Sequence, residues 1–199
     1  MPEKGLLIVI SGPSGSGKGT VIKKLFSRQC GLFYSVSATT REPRLCETEG
    51  ENYYFLSKNE FFKQIENGDM LEYALYSGNY YGTPRTQVEE RLSLGCHVIL
   101  EIEVQGAAKI KASYPASVSI FLMPPSLTEL ERRLRRRGTE SEVKMKSRLS
   151  IAKAEIDQAA NYDYIVLNDV VERAAKKISC IITAEKQKTI RYFGGKRNA

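Results

Sequence analysis

The residues most able to do chemistry form the stretch GPSGSGKGT, residues 12 to 20, set between the apolar run Gly5 to Ile10 and the helix-like Val21 to Arg28. Strand, glycine-rich turn and helix together describe a phosphate cradle. Gly12, Gly15 and Gly17 permit the conformations that turn successive backbone N–H groups inward, the helix start adds its positive dipole end, and Lys18 supplies a cation. The spacing fits G-x-x-x-x-G-K-[ST] except at Gly19, where a Ser or Thr normally offers a hydroxyl to magnesium; Thr20 comes one residue late. A nucleoside polyphosphate is the expected ligand, with its metal held mainly through phosphates and water.

A second set lies further along. Arg41 and Arg44, in a polar loop after an apolar stretch, can clamp a phosphate, and Tyr53 and Tyr81 can donate hydroxyls to it. A third set is the run of arginines between Arg132 and Arg148. A phosphate cradle with a separate arginine-rich segment suits phosphoryl transfer between two nucleotides. That reaction requires neutralised charge, aligned reactants and excluded water, and no nucleophilic side chain. The segment from residue 37 to 85 is then the candidate acceptor site.

The elements that must position these groups alternate between strand and helix, which predicts an α/β fold with a parallel, doubly wound sheet. Strands are expected at Leu6–Ile10, Leu32–Ser37, HVILEIEV from His97, SVSIFLM from Ser117 and YDYIVLND from Tyr162. Between residues 37 and 85 the pattern turns to short aromatic stretches around a helix with Ser57 as N-cap and Gly68 as its stop. Thr83 and Pro84 are expected to start the next helix, as N-cap and first helical residue, and Gly95 to end it. Two charged helices broken at Gly138 predict a hairpin that covers a ligand and is not itself a buried core. The resulting division is a core of 1–36, 86–125 and 160–190, an insertion at 37–85, a lid at 126–159 and a flexible tail at 191–199.

The bulk numbers exclude other classes. The 199 residues suit one compact domain with inserts, and neither a membrane-length apolar run nor a secretory start is present, so a cytoplasmic protein is expected. Four widely spaced cysteines and a single histidine, His97, suggest no zinc site and no disulfide framework. His97 reads as a residue at a strand entrance. The net charge of +7 would suit nucleic acid, but its concentration in the arginine segment and the tail equally suits nucleotide phosphates.

The motifs GPSGSGKGT, VSATTREPR, GENYYF, LEYA, SGNYYGTP, LEIEVQG, RGTESE, RLSIAKAE and YDYIVLND, in this order, resemble guanylate kinase, a P-loop family. The likeness runs from about Leu6 to Lys188. It implies magnesium-dependent transfer of the γ-phosphoryl group of ATP to GMP, giving ADP and GDP, in nucleotide salvage and the supply of GTP and dGTP precursors. The GKGT ending of the turn is the form found in nucleoside monophosphate kinases.

The resemblance implies residue roles as well. ATP is expected on Gly12, Pro13, Ser14, Gly15, Ser16, Gly17, Lys18, Gly19 and Thr20, with Arg133, Arg137 and Asn168. GMP is expected on Ser37, Glu72 and Thr83 at the base and on Arg41, Arg44, Tyr53 and Tyr81 at the phosphate, with Glu101 and Glu103 nearby. Lys18, Arg41, Arg137 and Arg148 are the implied catalytic set, and Thr20 and Glu101 the side chains closest to magnesium. Guanine presents a ring N–H beside an amino group, two donors that one carboxylate accepts together; adenine lacks the pair, so Glu72 should reject it. Arg132, Arg135 and Arg136 are expected to be solvated. Family members often carry aspartates where this chain has Glu101 and Glu103, one methylene longer. Competing readings are a non-catalytic guanylate-kinase-like module that binds proteins, a basic P-loop protein acting on nucleic acid, and a kinase for another monophosphate.

Overall fold

The fold is described from a computed structural model covering residues 4–136 and 142–194. Its strands form two sheets. One has five strands in the order β2-β7-β1-β8-β9, from Leu32–Tyr34 (β2), His97–Glu101 (β7), Leu7–Ser11 (β1), Val118–Met123 (β8) and Tyr164–Leu167 (β9). The other has four, in the order β4-β3-β6-β5, from Tyr54–Phe55 (β4), Ala38–Thr39 (β3), Asn79–Pro84 (β6) and Met70–Tyr76 (β5). The expected parallel α/β architecture and its strand-rich insert are both present.

The chain divides into two compact units. The first comprises Ile10–Cys30 and the chain from Val118 onward. Here β8 and β9 pair in parallel, and α1 (Lys18–Phe26) packs on α7 (Val171–Lys186). Val21, Ile22 and Leu25 of α1 and Ala174, Ala175, Ile178 and Ile182 of α7 are buried, so helical spacing of apolar residues becomes a packed face.

In the same unit α5 (Leu127–Arg136) and α6 (Glu142–Asp157) form the two arms of the charged segment. They differ from the expectation of a cover without a core. Leu130 and Leu134 are buried with Met145 and Ala152, and Leu149 packs against them, while Leu127 is exposed. A few apolar residues on each helix bury one another even though most of the surface of the pair is charged. The break at Gly138 lies outside the described residues, as does the end of the tail. A short helix, α8 (Thr189–Gly194), follows α7 where the sequence carried no periodic signal.

The second unit comprises Pro2–Val9 and Gly31–Ser117. Its helix α2 (Lys58–Glu66) begins with a complete capping box: Ser57 accepts from the Glu60 amide and the Glu60 carboxylate accepts from the Ser57 amide. Phe61 of α2 is fully buried against Ala38 and Met70. Strands β5 and β6 form a hairpin whose turn, Ser77 and Gly78, has φ of 50° and 82°, the paired positive values of a tight two-residue turn. A bulge between Met70 and Glu72 brings Glu72 opposite Thr83.

The start of α3 (Arg85–Ser93) is corrected by one residue. Pro84 stands at the N-cap and Thr83 remains in β6. The Thr83 hydroxyl has a stronger claim on it than a helix end: it donates to the buried Glu72 carboxylate. His97 accepts the Leu6 amide proton through Nδ1, the structural role expected of a residue opening a strand.

Candidate nucleotide sites

In the first unit the turn after β1 is shaped by two glycines in particular. Gly12 has φ 146°, and a Cβ there would stand 2.5 Å from the Leu122 carbonyl oxygen. Gly17 caps α1 in the left-handed region with φ 92°, and a Cβ there would meet the Asn168 side-chain nitrogen at 2.5 Å. Neither position admits another residue without strain. Pro13 and Ser16 close the turn through a backbone hydrogen bond of 2.9 Å, and Ser14 and Gly15 are half-buried at its crest.

Lys18 is buried and its ammonium donates to the carbonyls of Gly12 and Pro13, at 2.6 and 3.4 Å. An ammonium with three donors is thus held directly beneath the turn by weak neutral acceptors, ready for an anionic one. Gly19 and Thr20 continue into α1, with the Thr20 side chain exposed. Asn168, 2 % exposed after β9, donates from its amide to the Ser16 carbonyl at 2.7 Å. Its own side-chain oxygen and the Ser16 hydroxyl are buried with no hydrogen-bond partner among the described residues. Buried polar atoms without partners are costly, and here they gather where a polar ligand is expected.

Arg133 on α5 reaches the same turn. It donates to the carbonyls of Ser16 and Asn168, at 3.3 and 3.1 Å, while its Nε binds Glu129. Arg148 on α6 is half-buried, and Arg137 lies outside the described residues. Arg132 and Arg135 pair with Glu129 and Glu131 on the exposed side of α5, as solvated charges do. No group of three acidic, histidine or cysteine side chains suited to a metal occurs among the described residues.

The second unit gathers the other set. Ser37, Tyr53, Glu72, Tyr81, Glu101 and Glu103 line one pocket. Glu72 is 6 % exposed and accepts the Thr83 hydroxyl at 2.8 Å. Burial raises its pKa to about 7 against the weaker opposing pull of Thr83 and Lys109. Ionising this carboxyl is therefore about 3 kcal/mol less favourable than ionising a solvated one. Between the ordinary carboxyl pKa and about 7 the folded chain holds a proton that the unfolded chain has released, so stability falls as pH rises through that window. In thermal unfolding without nucleotide, Glu72→Gln is expected to gain on the parent between pH 4.5 and 7.5, and to level off above it. A constant difference across that range would contradict the burial argument.

Arg41 is engaged on every nitrogen. Nη2 meets both Glu47 carboxylate oxygens at 2.9 Å, Nη1 the Glu42 carbonyl at 2.6 Å and Nε the Tyr81 hydroxyl at 3.3 Å. Its guanidinium carbon lies 5.5 Å from the Tyr53 ring centre, and the Tyr53 and Tyr81 rings meet edge to face at 5.9 Å. Burial, and after it the negative Glu101, pushes the Tyr53 hydroxyl up to about 12, so it is a donor at neutral pH. Arg44 is exposed, and its backbone N–H donates to Glu47. The Tyr34 hydroxyl donates to Glu101 at 3.3 Å, and one oxygen of Glu103, the residue before α4 (Val104–Ser113), is buried without a hydrogen-bond partner among the described residues.

Two of these residues carry no motif signal. Glu47 orients Arg41 and ties its loop together; a carboxylate three residues after Arg44 and six after Arg41 was the available clue. Tyr34 looked like any apolar residue of a strand, and only the register of β2 on β7 sets it near Glu101.

A parallel α/β sheet with this turn between its first strand and first helix defines the P-loop nucleotide-binding class. Residues 4–185 match the family model for guanylate kinase. The chain is 52 % identical over 191 residues to the guanylate kinase of Halalkalibacterium halodurans, covering 96 % of this chain and 94 % of that one. It is 50 % identical over 190 residues to that of Clostridioides difficile, covering 96 % and 93 %. The crystal structure of guanylate kinase from Anaplasma phagocytophilum superposes with a TM-score of 0.81 at 38 % identity, covering 96 % of this chain and 90 % of that one. The chain belongs to the guanylate kinase family, the ATP:GMP phosphotransferases. None of these relatives favours the non-catalytic module.

Proposed function

We propose that the first unit's turn holds ATP and the second unit's pocket holds GMP, with the residue roles that follow. The observation that carries the acceptor assignment is Glu72, a carboxylate buried in a pocket of hydroxyls with one oxygen held by Thr83. A guanine ring N–H and amino group would satisfy it as an ion, and adenine would leave it buried and unpaired. Ser37 completes the base contacts; Arg41, Arg44, Tyr53 and Tyr81 take the phosphate, and Glu101 and Glu103 orient what lies between.

Lys18 and the amides of the turn hold the ATP phosphates, Arg133 and Asn168 brace the turn, and Arg137 and Arg148 complete the charge around the transferring group. In the reaction an oxygen of the GMP phosphate forms a bond to the γ-phosphorus as the bond to the β,γ-bridging oxygen breaks, and ADP leaves. The side chains do no bond-making; they bind, align and neutralise.

Magnesium bound with ATP would supply charge neutralisation at the phosphates. With Gly19 in place of the usual hydroxyl, Thr20 exposed and no acidic cluster suited to a metal among the described residues, the chain's own residues suit an ion carried mainly by phosphate and water. The division into a core, a GMP-binding insertion at 37–85 and a lid at 126–159 belongs to this reading, as does closure of the latter two over bound nucleotides. The exposed free thiols Cys30, Cys46 and Cys180 suit the reducing cytoplasm.

The test is ADP formation from ATP with GMP, AMP, UMP or CMP as acceptor. ADP is expected with GMP alone, and to cease in excess chelator. Equal rates with several acceptors would overturn the assignment of the pocket, and undiminished turnover in chelator the role of magnesium.

A further inference from the structure

Gly106 stands in the first turn of α4, and its backbone has none of the left-handed φ that calls for glycine. Glycine is a poor helix former, so α4 itself would be better served by alanine. What excludes alanine is on the neighbouring strand. A Cβ at position 106 would stand 2.6 Å from Glu72 Oε2 and 3.1 Å from the Glu72 carboxyl carbon, with Ile102 next at 3.5 Å. The two nearest atoms thus belong to the Glu72 carboxyl group, and Gly106 lines the same pocket beside it.

Glu72 cannot step aside freely. Its other oxygen accepts from Thr83 at 2.8 Å, its strand position is set by the bulge after Met70, and the side chain is buried. Lys109, one turn along α4, is fixed to the same strand, donating to the Tyr73 carbonyl and lying 4.6 Å from the Tyr73 ring centre. Helix and strand are therefore tied together one turn from the missing Cβ, and β5 and α4 are packed against each other.

We infer that Gly106 is a specificity-determining residue: its missing side chain is the space in which Glu72 holds its carboxylate at the angle that reads the acceptor base. This rests on the reading of the pocket as the guanine site. Gly106 acts through Glu72 and is a positioning residue in that sense. Adding one methyl group would rotate the carboxylate away from Thr83 and misalign both of its oxygens with the paired donors of guanine. Since the atom displaced is the end of a flexible side chain, the fold should survive the change.

The experiment is steady-state kinetics of Gly106→Ala with GMP and with IMP, which keeps the ring N–H of guanine but lacks its amino group. The expected result is a tenfold or greater fall in kcat/KM for GMP, carried mainly by KM, a smaller fall for IMP, and an unchanged KM for ATP. Glu72→Asp draws the carboxylate back by one methylene, so Glu72→Asp/Gly106→Ala should be more active toward GMP than Gly106→Ala alone. Unchanged GMP kinetics, or equal losses with both acceptors together with a lowered Tm, would overturn the inference. Should Gly106→Ala fail to fold, a folded double variant supports it and an unfolded one overturns it. Glu72→Gln is measured in parallel. If it too leaves the ratio of GMP to IMP unchanged, the pocket is not the base site; if it narrows the ratio and Gly106→Ala does not, only the role of Gly106 falls.

Discussion

Replacing Arg41 with Ala is expected to lower kcat/KM for GMP by about 30-fold or more, corresponding to about 2 kcal/mol or more of lost transition-state stabilisation. The reasoning starts from what the guanidinium is tied to. Glu47 holds Nη2 with both oxygens and is itself held by the Arg44 amide, so the group is fixed before any ligand arrives. Burial would lower the Arg41 pKa, yet the hydrogen bonds to Glu47 and Tyr81 outweigh it and raise the pKa, so the cation is secure at every working pH. Truncation removes the clamp and leaves Glu47 a carboxylate facing an incoming phosphate, so attraction is replaced by repulsion. Steady-state kinetics at varied GMP check this, with KM for ATP as the internal control. Wild-type values for GMP would show that the phosphate is bound elsewhere.

Lys18→Ala is expected to have a still larger effect, on turnover. The lysine is 9 % exposed beneath the turn, and among the described residues its partners are the carbonyls of Gly12 and Pro13. These neutral acceptors return little of what burying an ammonium costs, and the β- and γ-phosphates would return far more. The contact strengthens as charge builds on the transferring group, so its loss falls on kcat. A reduction of about 100-fold or more is expected, on the scale found when one preorganised charge-stabilising donor is removed. Circular dichroism and Tm should stay near wild type, since the lysine holds the turn only through its own carbonyls. A Lys18→Ala enzyme with near-normal kcat would remove this residue from the chemistry.

The P-loop was legible because its information is local. Three glycines, a lysine and the flanking strand and helix lie within one stretch, and Gly12 and Gly17 turn out to be excluded from other residues by Leu122 and Asn168, far along the chain. The capping box at Ser57 and the stop at Gly68 were legible for the same reason. Thr83 was misjudged as a cap because a Thr-Pro pair before a polar helical run has one local meaning, while the cross-strand carboxylate that claims its hydroxyl is set by the bulge after Met70. The core of Leu130 and Leu134 was not legible in the charged segment, because their partners Met145 and Ala152 lie on a different helix.

The acceptor pocket was legible as a set of residue types and not as an arrangement. Arginines and tyrosines between 37 and 85 announce a phosphate, whereas Glu72 drew attention only through the family resemblance. Burial is what makes Glu72 discriminating, and burial depends on β6, α4 and the space left by Gly106, none of which a spacing rule contains. Glu47 likewise becomes meaningful only once the loop folds back and places it on Arg41.

The measurement that tests the central claim most directly is the discrimination between GMP and AMP, as the ratio of kcat/KM, in the parent and in Glu72→Gln. The amide keeps the shape of the side chain and its contact with Thr83 but cannot accept two donors together. The account predicts a raised KM for GMP and a ratio that narrows by about tenfold or more, with the fold intact. An unchanged ratio would contradict it, and would place the choice of base on some other residue of the pocket.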